Sequence, residues 1–215
     1  MLTRKFLVAL VLVAFPSLAT HGQDGDFFFS FDGNGANVGN PTGTFRSGDS
    51  GSLFFYYSGT SDIDTGFVAN LSTSSGGVID FSGSEILNSI LGSNQRSRWG
   101  ATTPGEISSD SQGIRGIATL ILPSGFGQSL GIDLDNAELD PDYDLATDSF
   151  LLGRFDFTVT GPVGSQTNID FFGETQVVNA GADLDVRLGS ATIEVVAIPE
   201  PSSVMIITGL SLIHI

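Results

Sequence analysis

The side chains able to do chemistry in this chain are mostly carboxylates. Asp133-Leu134-Asp135-Asn136-Ala137-Glu138-Leu139-Asp140-Pro141-Asp142-Tyr143-Asp144, with Asp148 beyond, is the densest acidic stretch. Hard oxygen ligands packed this closely suit Ca2+, which makes Asp133, Asp135, Asp140, Asp142 and Asp144 the candidate ligands. The spacing departs from the EF-hand loop. Counted from Asp133, the sixth residue is Glu138 rather than glycine, and the twelfth is Asp144 rather than glutamate. A solvated acidic connector between strands explains the same run and is the favoured reading, since charge runs are commonly loops.

Other catalytic chemistry lacks its parts. The two histidines are His21 and His214, near the ends, there is no cysteine, and Lys5 is the single lysine. Ser-His-Asp and Cys-His arrangements, zinc sites built on His or Cys, and lysine Schiff bases are therefore excluded from the middle of the chain. A two-carboxylate glycosidase stays open on composition, although no particular pair stands out. Phe54-Phe55-Tyr56-Tyr57 and Trp99 are the candidates for stacking on a sugar. Neighbouring strand positions face opposite ways, so two of the four aromatic residues should be buried, and packing in a Phe-rich core is the favoured role for all of them. Arg96-Ser97-Arg98-Trp99 is the basic cluster, expected to make intramolecular ion pairs worth little individually.

The ends carry address information. Met1-Leu2-Thr3-Arg4-Lys5 is a basic start, Phe6 to Phe15 follows as ten residues without a polar side chain, and Pro16 precedes Ser17-Leu18-Ala19. This is the form of a secretory signal cut between Ala19 and Thr20, with Gly22/Gln23 as a second choice. Cleavage removes Arg4 and Lys5. Six arginines against 24 carboxylates then leave a formal charge of −18, two more negative than the full chain's −16. Such a balance excludes binding to nucleic acid through phosphate neutralisation and disfavours anionic membrane surfaces. Cations, basic partners and neutral polysaccharide remain compatible. In an exported compartment a chain without cysteine must be held by its core, and 17 phenylalanines make that feasible.

The elements that must position these residues read as short strands between glycine-rich turns. Arg154 to Thr160 alternates, with Phe155, Phe157 and Val159 toward a core and Asp156, Thr158 and Thr160 toward water. Ser190 to Val196 repeats the pattern through Ala191, Ile193 and Val195. Asp26 to Phe31, Gly51 to Ser58, Ile114 to Leu122 and Thr167 to Phe172 are further strands. Phe67 to Leu71 and Val78 to Phe81 are expected to pair around Ser72 to Gly77. Ser84 to Leu91 is the one helix candidate, capped by Ser84. Eight or nine strands with 28 glycines between and around them predict an all-β fold, an antiparallel β-sandwich.

Pro199-Glu200-Pro201, directly before the apolar run Val204 to Ile215, resembles the PEP-CTERM sorting signal of Gram-negative bacteria. That resemblance implies processing by an exosortase-type membrane enzyme at or near the motif. It also implies residence at the cell surface or in the extracellular matrix, in association with polysaccharide. The run supplies twelve residues, whereas a membrane span needs about 20, and no basic cluster follows. The tail is therefore expected to be incomplete at Ile215. Phe150 to Val159, Gly164 to Phe171 and Leu188 to Val195 resemble the C-terminal half of a cohesin-type domain. This second resemblance implies a jelly-roll sandwich used for adhesion or carbohydrate-related scaffolding, without implying a dockerin partner. The expected organisation is a signal peptide over 1–19, a sandwich over 24–197 and a sorting tail over 198–215. The expected function is that of a non-enzymatic exported protein, with a secreted carbohydrate-binding module as the alternative.

Overall fold

The computed structural model describes residues 24–33, 40–91, 96–120, 131–179 and 182–198. The signal segment, the cleavage pair Ala19 and Thr20, the motif Pro199-Glu200-Pro201 and the apolar tail lie outside the described residues. Within them, strands dominate: β1 (Gly25–Ser30), β2 (Thr42–Phe45), β3 (Ser50–Gly59), β4 (Gly66–Thr73), β5 (Ile79–Ile86), β6 (Ile90–Leu91), β7 (Arg96–Ser97) and β8 (Ala101–Ile107) come first. After β9 (Gly113–Leu120) and a 3-10 helix, Leu134–Leu139, follow β10 (Tyr143–Asp144), β11 (Ser149–Val159), β12 (Gln166–Phe171) and β13 (Gln176–Asn179). The last three are β14 (Ala182–Asp183), β15 (Val186–Leu188) and β16 (Ser190–Val195). No helix among the described residues is long and apolar enough to cross a membrane.

Two sheets form the sandwich. One runs β10-β11-β3-β1-β15, with β5 also paired to β11. The other runs β14-β13-β4-β12-β16-β2, and β9 joins it on β4 and carries β8. Alternation explains which face is inside. Phe155, Phe157 and Val159 of β11, at every second position, are buried, while Arg154 in the same strand is exposed. Ala191, Ile193 and Val195 of β16 are buried from the other sheet. The inner faces meet through aromatic edges, including Phe67 of β4 against Phe27 at 5.4 Å and against Phe55 at 5.7 Å between ring centres. Edge-on pairs of this kind add about 0.5–1.5 kcal/mol each beyond simple burial.

Four expectations need correction. Ser84 to Leu91 is not a helix: Ser84, Glu85 and Ile86 pair with Phe155, Arg154 and Gly153 as the end of β5, and Ile90 and Leu91 form β6. β4 and β5 do not pair, because the turn between them carries the chain from one sheet to the other. The strands outnumber the eight or nine expected, since several are two to four residues long. The ladders are not all antiparallel, since β1 runs parallel to β15 and β2 parallel to β16.

Candidate functional site

The acidic stretch is built around one buried arginine. Arg98 follows β7 and is wholly buried. Its Nε donates to Asp140 Oδ2 at 2.9 Å, its Nη2 donates to Asp140 Oδ1 and, at 2.8 Å, to Asp142 Oδ2, and its Nη1 donates to the Leu151 carbonyl at 2.9 Å. The planar guanidinium thus grips Asp140 with two parallel bonds, a geometry lysine does not offer. Asp142 Oδ2 also accepts from Ser89 Oγ. Backbone bonds from Arg98 N to Ser89 O and from Gly131 N to Arg98 O hold the segment in place. The expectation for the Arg96-Ser97-Arg98-Trp99 cluster is of ion pairs worth little individually. It fails for Arg98, because removing one partner from a buried pair costs about 3–5 kcal/mol.

The five candidate calcium ligands are divided among different tasks. Asp133 caps the 3-10 helix, accepting from Asp135 N at 3.1 Å and from Asn136 Nδ2 at 2.8 Å. Asp135 lies in the first turn of that helix. Asp140 and Asp142 are held by Arg98, and Asp144 accepts from Ala146 N at 2.9 Å. Among the described residues, no group of three or more His, Cys, Asp or Glu side chains converges as a metal site would require. As a connector the run is solvated only in part, with Asp135 and Glu138 exposed. Asp140 is buried, and the stretch is clamped to β11 through the Leu151 carbonyl.

The aromatic candidates lie mostly inside. Phe55 and Tyr57 are fully buried on the inner face and Trp99 packs edge-on against Phe67 at 5.7 Å. Tyr57 donates to the Ser61 carbonyl at 2.6 Å, and its ring fills space that only glycine leaves open: a Cβ on Gly59 would lie 2.3 Å from its oxygen. Tyr56 points the other way. It is 3% exposed, with its ring stacked on Phe28 at 5.3 Å and 13°. Burial first, then the charges of Asp32 and Asp144, push its pKa up to about 12. The Tyr56 hydroxyl makes no hydrogen bond among the described residues. It opens on a notch of about 190 Å3 shared with Gly33, Asp142, Tyr143 and Asp144.

A larger groove, about 510 Å3, lies on the other sheet beside the turn between β8 and β9. Ser72, Thr73, Glu106, Asp110, Arg115 and Phe172 line it. The Arg115 guanidinium sits 5.7 Å from the centre of the Phe172 ring. Gln112 braces the floor, donating to the Ile79 carbonyl and to Asp80 Oδ1, each at 2.9 Å. Sequence reasoning singled out neither Arg115 nor Phe172, and their separation along the chain leaves no local signal.

The class of protein these features define is an all-β sandwich of two sheets with surface recesses. No family model matches the chain, and no curated protein matches it. Among solved structures it is similar to the sixth cohesin of scaffoldin B from Acetivibrio cellulolyticus, solved in complex with a Cel5 dockerin. The identity is 10%, covering 80% of this chain and 99% of that one, with a TM-score of 0.49. It is similar to the cohesin module of a family 33 glycoside hydrolase from Clostridium perfringens at 8% identity, 81% and 98% coverage, and a TM-score of 0.49. It is also similar to a non-cellulosomal cohesin from Archaeoglobus fulgidus at 14% identity, 81% and 92% coverage, and a TM-score of 0.42.

Proposed function

We propose that this chain is a non-enzymatic exported protein of the cell surface or extracellular matrix, in which the β-sandwich is the binding module and the C-terminal segment is the sorting signal. The observation that carries this reading is Pro199-Glu200-Pro201 between the last core strand and an apolar run, in a chain that opens with an export signal. The geometry before the motif supports it. β16 ends at Val195, Val196 N still donates to the Phe45 carbonyl, and Ile198 is 68% exposed. The two prolines lack N–H donors and favour extended neighbours. A membrane enzyme of the exosortase type could then read the motif without opening the sandwich. The test places a tag after the tail in a host that carries the sorting enzyme. Wild-type chain should lose the tag, and Glu200→Ala, or Ala-Ala-Ala in place of Pro199-Glu200-Pro201, should keep it while melting normally. Equal removal from the mutants would reduce the motif to a spacer.

The groove beside the β8–β9 turn favours a second reading, a secreted carbohydrate-binding module. Its polar lining and the half-buried Phe172 ring suit sugar hydroxyls and a sugar face. Binding on a glycan array without turnover supports this reading. Release of reducing sugar would instead support a carboxylate-pair hydrolase.

A further inference from the structure

The notch on the outer face of the first sheet joins three features that point to one kind of occupant. The first is Tyr56, nine-tenths buried and more, whose hydroxyl opens into the recess with no hydrogen bond among the described residues. The second is charge. Asp140 and Asp142 share the single guanidinium of Arg98, so that cluster keeps an excess carboxylate, and half-buried Asp144 adds another at the rim. The third is an apolar lining, in which Pro141 and Leu151 stand beside Asp142 and Asp144.

We propose that this notch receives the guanidinium of an arginine side chain from a partner polypeptide. A planar cation can donate to the Tyr56 hydroxyl oxygen and, in parallel, to the rim carboxylates. Pro141 and Leu151 then meet the methylene stem of that arginine. Arg98 sets the geometry in advance by fixing Asp140 and Asp142, so little ordering is left to be done on binding. The carboxylates of Asp32 and Asp144, which add to burial in raising the Tyr56 pKa, act in the same direction, as does the acidic excess of the whole chain, which speeds encounter with cationic partners. A bare metal ion fits less well, since no three ligating side chains converge there among the described residues. The proposal is independent of the sorting reading.

The test uses the full chain and a fluorescein-labelled peptide, Gly-Leu-Arg-Leu-Gly, followed by anisotropy against the same peptide with citrulline for arginine. Citrulline keeps the shape and removes the charge. The arginine peptide should bind about tenfold more tightly. Tyr56→Phe and Asp144→Asn should each weaken it about threefold or more at an unchanged melting temperature. Glu106→Gln, which removes one charge in the distant groove, should leave it unchanged. Equal binding of the two peptides, equal loss in Glu106→Gln, or no saturable binding up to about 10 mM would overturn the proposal. Displacement by cellohexaose would assign the notch to sugar instead.

Discussion

Arg98 is the residue on which most of the acidic stretch depends, and its worth is testable by a double-mutant cycle. Arg98→Ala strands Asp140 as an uncompensated buried carboxylate, and should cost about 3–5 kcal/mol in urea unfolding. Arg98→Met with Asp140→Leu removes both buried charges and should recover most of that loss, because Asp142 is only half-buried and can turn to water. If the double variant is as unstable as the single one, packing rather than charge holds the segment. Tyr56 and Tyr57 supply a second residue-scale prediction. Burial is the main cause raising both, with Asp32 and Asp144 adding to Tyr56 and Asp24, Asp62 and Asp26 adding to Tyr57. A phenol whose folded pKa lies above its unfolded value of about 10 stabilises the fold fully below that pH. The contribution is lost as pH rises through about 12 for Tyr56. The urea midpoint should therefore hold to about pH 9.5 and fall beyond it, and a midpoint still flat at pH 12 would refute the assignment. That the arginine cluster meets carboxylates was legible in the sequence, but the burial of Arg98 and the identity of its partners were not. Arg98 and Asp140 are 42 positions apart, and no local rule marks an arginine as buried.

β11 is the element on which the first sheet is organised, flanked by β3 on one side and by β5 and β10 on the other. Its alternation makes unequal demands on its two faces. Phe157→Ala should cost about 3–5 kcal/mol by leaving a cavity between Phe45 and the inner core. Asp156→Ser, on the outer face where Ser52 Oγ donates to Asp156 Oδ1 at 2.6 Å, should stay within about 1 kcal/mol. Chemical denaturation of the two variants side by side measures the contrast, and similar losses would mean the faces are misassigned. Strict alternation made β11 and β16 readable from residues alone. Ser84 to Leu91 misled because Ile86, Leu87, Ile90 and Leu91 recur at helical spacing, while the pairing of β5 with β11 outweighs that local preference. β8 went unseen because it carries Pro104 and Gly105 and little apolar alternation. That composition suits the edge position it occupies beside β9.

At the scale of the whole molecule, the class was legible and the topology only in part. Glycine-rich turns, absent cysteines and a phenylalanine-rich middle point to an all-β core, and two facing sheets are what the chain forms. Which strands share a sheet depends on contacts between distant segments, so the crossing from β4 to β5 had no signature in residues 72–77. The recesses have the same origin. Each joins side chains from separate elements, as when Tyr56 of β3 meets Asp144 of β10.

The two parallel ladders have a consequence for how the chain is made. β1 lies on β15 and β2 lies on β16, so the beginning of the domain is stitched to its end. A ribosome or translocation pore releases residues in order, so the first ladder cannot close until Leu188 has emerged, nor the second until Val195 has. Until then the first two strands wait without their final neighbours, as expected of slow folding through contacts distant in sequence. For a polypeptide that crosses a membrane as an extended thread, this delay keeps it threadable. Only Val196, Ala197 and Ile198 separate the end of β16 from Pro199, so the last strand of the sandwich emerges just ahead of that motif.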